Sequence, residues 1–221
     1  MSRQIFDRLF DEGSRAVLAG EHLLDAPPEQ PGERWGPSVC LRPDEPAARR
    51  LASLTAAAMQ YAGPGHWPTG AARSSHFTVR VLDPYRGELT QHDPTILRQA
   101  DAMRRAAAFS GPVALQVTGL TLTRASVMAS ATPIGPAAET FACTLAEGLG
   151  EDGWYEADFD RSIWYTNLVH FTGPLVRRRE LVEWVAARRD IDLGPVETRV
   201  ELLHWAFDGC QMLPVVLAGL P

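Results

Sequence analysis

The tripeptide His-Phe-Thr occurs twice in this chain, at residues 76–78 and again at residues 170–172. Each copy lies in a run of apolar and β-branched residues typical of a strand, over about 73–82 and 163–172. Because side chains alternate between the faces of a strand, the histidine and threonine of each copy point one way and the phenylalanine the other. The pattern predicts two strands that each present an imidazole beside a hydroxyl, anchored by a buried aromatic ring.

Two such strands facing each other would bring His76, His170, Thr78 and Thr172 to one pocket. One histidine would then take a proton from a nucleophile while the other protonates the leaving oxygen, and the hydroxyls would hold the phosphoryl oxygens. This set of residues predicts an acid–base site for the cleavage of a phosphodiester. The structural alternative is a pair of half-buried histidines, each hydrogen-bonded to a neighbouring hydroxyl.

The doubled His-x-Thr, with apolar residues around it, resembles the signature of the 2H phosphoesterase superfamily, which includes 2′-5′ RNA ligase-like proteins and cyclic nucleotide phosphodiesterases. The first copy, HFTVRVL, follows that group's pattern, whereas the second departs from it because Gly173 and Pro174 follow Thr172. The likeness covers roughly residues 36–221. It implies a 2′,3′-cyclic phosphate, a 2′-5′ linkage or a small cyclic nucleotide as substrate, and it leaves open which histidine is the base.

Three further side chains are candidates for binding the substrate. Arg80 lies two positions past Thr78, and its guanidinium would steady a phosphate; as an alternative, it reaches solvent at the strand end. Trp164 shares the strand face of His170 by parity, and Tyr155 belongs to the aromatic cluster that precedes the second copy. Either ring would stack on a base, with core packing as the alternative role.

The order of predicted elements mixes strand pairs with crossover helices, which indicates an α+β fold. We expect two pseudo-symmetric lobes of antiparallel sheet, with outer helices around a central cleft, over residues 36–221. Residues 1–35 form a separate region, an amphipathic helix over 2–19 followed by a Pro-rich linker. The apolar stripe of the helix would pack on the main body or on a second copy, so a homodimer through this helix is one expected arrangement.

Charge and composition restrict the partners. The net charge of −6 argues against non-specific binding of duplex DNA, which needs a basic surface, but it is compatible with a small nucleotide or an RNA end held by a few arginines. No apolar stretch approaches the roughly 18 residues of a membrane span. The charged N-terminus lacks the apolar centre of a signal peptide, so we expect a cytoplasmic protein without a membrane partner.

No cofactor is expected from the ligand inventory. Cys40, Cys143 and Cys210 are far apart, and no histidine pair has the spacing of a metal site, which predicts metal-independent chemistry. Two other functional classes stay open at this point. One is a nucleotide- or RNA-binding module without turnover, and the other is an acid–base enzyme that acts on a non-nucleotide substrate.

Overall fold

The computed structural model of the protein describes residues 2–159 and 162–220. The helices in this part of the chain are α1 (Ser2–Ala19), α2 (Glu45–Ala62), α3 (Pro94–Ser110), α4 (Ala137–Leu149) and α5 (Arg178–Ala186), with a 3₁₀ helix over Gly150–Glu156. The strands are β1 (Ser38–Pro43), β2 (Phe77–Val81), β3 (Ala114–Leu122), β4 (Ser126–Pro133), β5 (Trp164–His170), β6 (Gly194–Phe207) and β7 (Met212–Gly219). Among the described helices, none combines the length and the apolarity that a membrane crossing demands.

The strands form one antiparallel sheet in the order β2-β1-β6-β3-β4-β5, with β7 paired to β6. Strand β6 pairs with β3 through its first residues and with β1 and β7 through the rest, so it belongs to both halves of the sheet. The sheet curls, and β2 and β5, which lie at opposite ends of the strand order, contact each other. The expected α+β fold with outer helices is confirmed, and its curvature brings the two tripeptides together.

The aromatic anchors of the two tripeptides lie in the main core. Phe77 and Phe171 are both completely buried, as predicted from strand alternation. Burying a phenylalanine side chain contributes roughly 1.5–3 kcal/mol to the free energy of unfolding. Each ring therefore holds its strand against the core while the neighbouring histidine faces the opposite side.

The N-terminal helix packs on the body of the same chain. Phe6 and Val17 of α1 are buried, the helix contacts β3 and α5, and the Thr121 hydroxyl donates to the Phe6 carbonyl at 2.9 Å. Two residues of the apolar stripe are thus buried within the chain itself, while Ile5, Leu9 and Phe10 stay partly exposed. After α1 come residues 20–36, which we call the N-terminal segment. This segment reaches the end of β5, where the Asp25 amide donates to the Phe171 carbonyl at 2.6 Å.

Candidate active site

His76 and His170 line the same cavity, which has a volume of about 220 Å³. Both imidazoles are almost completely buried, at 8% and 5% exposure. Thr78 lines the cavity as well, so three of the four residues expected to form the pocket are there. The other lining residues come from three parts of the chain: Glu33, Arg34, Trp35 and Gly36 from the N-terminal segment, Ser38 and Val81 from β1 and β2, and Asn167 and Trp205 from β5 and β6.

His76 directly precedes β2, and its Nδ1 is hydrogen-bonded to the backbone. Its Nδ1 lies 2.8 Å from the Ser74 carbonyl oxygen, and its ring centroid is 4.5 Å from that of Trp205. Because a carbonyl only accepts, Nδ1 carries the proton and the neutral ring keeps a lone pair on Nε2. Burial lowers the pKa of His76 to about 4, so this imidazole is neutral at pH 7.

His170 ends β5, and its ring has a side-chain partner. Its Nδ1 lies 3.0 Å from the Thr69 hydroxyl, which is able to donate or to accept. Its Nε2 lies 3.9 Å from Asp25 Oδ2, which is too far for a hydrogen bond. Burial, with smaller contributions from the charges of Arg34 and His76, lowers the pKa of His170 to about 3. Sequence reasoning missed Thr69 because it precedes the first tripeptide in a turn-rich loop.

A close approach of that loop to β5 explains how Thr69 reaches His170. The Gly70 amide donates to the Leu168 carbonyl at 2.9 Å, and a Cβ at position 70 would lie only 2.9 Å from the Leu168 Cα. Only glycine allows this contact without displacing the strand. One step further back, Trp67 exchanges two backbone hydrogen bonds with His170, of 3.0 and 3.1 Å. The loop is thereby paired to the end of β5 that carries the second histidine.

Arg80 does not lie where strand alternation predicts. In the pairing of β1 with β2, Val39 is opposite Arg80 and Cys40 is opposite Thr78, so Val79 is an extra residue in a β-bulge. The bulge reverses the alternation, and the Arg80 guanidinium donates to two carbonyl oxygens of the 3₁₀ helix, at 3.1 and 2.8 Å. The prediction that Arg80 lies beside Thr78 in the cavity is therefore wrong, and Arg80 holds the 3₁₀ helix against β2.

A second bulge moves the other strand out of its predicted register. Met128 is paired with Asn167 and Val127 with Val169, which leaves Leu168 as the extra residue on β5. Asn167 therefore shares the cavity with His170, three positions away. Trp164, which was expected on that face, is buried in the core instead. Nothing in the sequence marks either bulge, so Asn167 was not predicted.

Tyr155 and Thr172 are not among the residues that line the cavity, and the hydroxyl of each donates to a backbone carbonyl. The Tyr155 hydroxyl donates to the Glu33 carbonyl at 2.8 Å, which ties the 3₁₀ helix to the N-terminal segment. Strand β5 ends at His170, so alternation no longer governs Thr172, and its hydroxyl donates to the Gly65 carbonyl at 2.6 Å. The expectation that Thr172 lines the pocket beside His170 is corrected on this point.

The N-terminal segment supplies residues that sequence reasoning did not connect with the site. The Trp35 ring lies 5.1 Å from His170, 5.7 Å from Trp67 and 5.5 Å from Trp205, measured between ring centroids. Arg34 adds a positive charge to the cavity wall. A tryptophan and an arginine at the end of a Pro-rich stretch are the available signal, but nothing in the sequence indicates which surface they contact.

The described residues contain no group of three or more His, Cys, Asp or Glu side chains placed to hold a metal ion. The cavity wall carries two imidazoles, the hydroxyls of Ser38 and Thr78, an amide, the Arg34 guanidinium and the Glu33 carboxylate. This set suits proton transfer next to a negatively charged group.

Comparison with known proteins identifies the fold. No protein-family model matches the sequence, and no curated protein matches it either. The solved structure of TT0787 from Thermus thermophilus is similar, with a TM-score of 0.60 and 16% identity over 83% of this chain and 95% of that chain. A solved phosphoesterase is similar with a TM-score of 0.52 and 11% identity, over 84% of this chain and 97% of that one. The chain therefore shares its fold with these two proteins, one of which is a phosphoesterase.

Proposed function

We propose that this protein is a metal-independent phosphodiesterase that acts on a nucleotide or an RNA end, cleaving a 2′,3′-cyclic phosphate or a 2′-5′ linkage. The observation that carries the proposal is the pair of histidines in one cavity, each with Nδ1 in a hydrogen bond that leaves Nε2 for a substrate. The fold shared with a phosphoesterase supports the same class of reaction.

For a 2′,3′-cyclic phosphate, the reaction is an attack of water on phosphorus with departure of one ribose oxygen. His76 suits the role of base, because its Nδ1–H donates to a carbonyl and Nε2 keeps its lone pair. It takes a proton from water as the new P–O bond forms. Protonated His170 gives its Nε2 proton to the ribose oxygen as the old P–O bond breaks, so one proton enters and one leaves the pair.

Two features favour the transition state of this reaction. The Thr78 hydroxyl lines the cavity beside His76 and would donate to a non-bridging oxygen, where negative charge grows. A bound phosphate is an anion next to both rings, and a neighbouring negative charge raises the pKa of an imidazole. Substrate binding therefore raises the pKa of His170 and favours the protonated form that burial disfavours in the free protein.

Turnover of a substrate panel tests the proposal. Hydrolysis of 2′,3′-cyclic mononucleotides, 2′-5′-linked dinucleotides and cyclic dinucleotides would be followed by chromatography, with EDTA present throughout. We expect cleavage of the cyclic phosphates or 2′-5′ linkages that persists in EDTA and is lost in the His76→Ala and His170→Ala variants. Cleavage that appears only after a divalent metal is added would overturn the metal-independent mechanism. Cleavage that survives both substitutions would overturn the assignment of the site.

A further inference from the structure

We infer that Arg34, in the N-terminal segment, is the residue that binds the negative charge of the substrate phosphate, and that Asp25 positions it. This inference rests on the proposed function and adds a substrate-binding residue outside the two tripeptides. Arg34 lines the cavity together with His76 and His170. Among the described residues of the cavity wall, it is the only lysine or arginine.

The guanidinium of Arg34 is held by a buried carboxylate. Its Nη1 lies 2.5 Å from Asp25 Oδ1 and its Nη2 lies 3.1 Å from Asp25 Oδ2, so the ion pair is two-pointed. The Asp25 side chain is 2% exposed, whereas that of Arg34 is 58% exposed. A guanidinium has five N–H donors, and Asp25 takes two of them, which leaves three for a second anion. One side of Arg34 is thus occupied by Asp25 while the rest is available to a ligand.

Asp25 fixes where this charge is presented. Its own amide donates to the Phe171 carbonyl at 2.6 Å, which ties it to the residue following His170. Burial raises the pKa of Asp25, and the Arg34 charge opposes that rise. Moving Arg34 away would leave a buried charge unpaired, which is costly. The substrate therefore meets Arg34 in place.

The residue after Arg34 holds the segment against the body. Trp35 adopts a left-handed backbone conformation, with φ of 66°, which is strained for a non-glycine residue. Its ring packs against His170, Trp67 and Trp205, and these contacts maintain that conformation. Arg34 is thus fixed on both sides, by the ion pair with Asp25 and by the neighbouring aromatic ring.

The experiment measures the binding of inorganic phosphate by calorimetry, at constant ionic strength, to the parent protein and to the Arg34→Gln variant. A charge-assisted hydrogen bond corresponds to about a tenfold or larger change in affinity, so we expect the dissociation constant of phosphate to rise at least about tenfold. Arg86→Gln is the matched control, because Arg86 is an exposed arginine paired with Asp83 that does not line this cavity. Its dissociation constant should be unchanged.

The positioning role of Asp25 is tested by a double-mutant cycle on the same measurement. We expect Asp25→Asn to weaken phosphate binding by a factor of about three to ten, and to have no further effect when Arg34 is already glutamine. A merely structural role would weaken binding equally in both backgrounds. Arg34→Lys keeps the charge without the fork, and should fall between the parent and Arg34→Gln. Thermal unfolding of each variant confirms that it is folded.

Two results would overturn the inference: Arg34→Gln that binds phosphate as tightly as the parent, or a parent that binds no phosphate at millimolar concentration. Because the measurement needs no turnover, its failure is distinguishable from failure of the proposed function. If the protein hydrolyses none of the substrates but Arg34→Gln weakens phosphate binding, the assignment of Arg34 stands and the proposed function fails. If the protein hydrolyses cyclic phosphates and Arg34→Gln leaves KM and kcat unchanged, the proposed function stands and the assignment of Arg34 fails.

Discussion

The two His-Phe-Thr copies have identical sequences and different surroundings. In the first copy, Thr78 is part of β2 and lines the cavity beside its histidine. In the second copy, the strand ends at His170, and the hydroxyl of Thr172 donates a hydrogen bond to the Gly65 carbonyl. The phenylalanines are equally buried, and the histidines reach the same cavity. A short motif therefore predicts the position of its buried phenylalanine more reliably than the position of the threonine that follows.

The two histidines also differ in what holds them. The Nδ1 partner of His76 is the Ser74 carbonyl, which accepts only, whereas the Nδ1 partner of His170 is the Thr69 hydroxyl, which donates or accepts. The first ring is thus restricted to one neutral tautomer and the second is not. This difference supports opposite roles for the two histidines, and it can be tested residue by residue.

The largest effect is expected from removing either histidine. His76→Ala and His170→Ala should each lower kcat/KM by about 10²–10⁴-fold on a substrate that the parent cleaves, because each removes one end of the proton transfer. Steady-state kinetics measures this, with circular dichroism as the check on folding. If one of the two variants keeps near-normal turnover, the pair does not act together and a single-histidine mechanism is required.

Substitution of the two motif threonines should affect kcat very differently. Thr78→Val is expected to lower kcat by up to about 10³-fold, as the loss of a donor to the developing oxyanion does. Thr172→Val should leave kcat within about threefold of the parent and instead lower the free energy of unfolding by about 1 kcal/mol, through the lost bond to Gly65. Kinetics and urea unfolding on both variants decide the matter. Equal kinetic losses would show that Thr172 reaches the substrate after all.

Much of this architecture follows from patterns in the sequence. The apolar stripe of residues 2–19 matches α1, the run preceding His170 matches β5, and alternation places Phe77 and Phe171 in the core. These elements are predictable because apolar residues that face the core recur with the period of a helix or of a strand, and that period is visible in the sequence. The histidine pair follows from the same alternation, since each histidine directly precedes a buried phenylalanine.

The remaining part of the site depends on features without a period. The bulges at Val79 and Leu168 each insert one residue, which removes Arg80 from the expected face and adds Asn167 to the cavity wall. The contact between Asp25 and the end of β5 joins residues far apart in the chain, and no local pattern records it. Sequence reasoning predicted Arg80 as the phosphate-binding arginine, whereas Arg34 is the arginine that lines the cavity.

A smaller effect is expected from the Thr69 hydroxyl. Thr69→Val removes the partner of His170 Nδ1 and should lower kcat/KM about five- to tenfold, the equivalent of one hydrogen bond, while Thr69→Ser should restore most of it. Nitrogen-15 NMR of the histidine rings gives a second readout, because the tautomer of His170 should change and that of His76 should not. Thr69→Val with unchanged His170 shifts and unchanged kinetics would remove the distinction between the two rings.

A further effect of the two histidines concerns stability in acid. The pKa values of His76 and His170 in the folded protein, about 4 and about 3, lie below the ordinary value of 6.5. The unfolded chain therefore binds more protons between about pH 3 and 6.5, and the free energy of unfolding falls as the pH is lowered through this range. Each histidine adds at most about 1.4 kcal/mol per pH unit to that fall. We expect His76→Gln and His170→Gln each to flatten the slope, measured by urea unfolding from pH 7 to pH 4. Slopes identical to that of the parent would show that these rings are not buried in their neutral form.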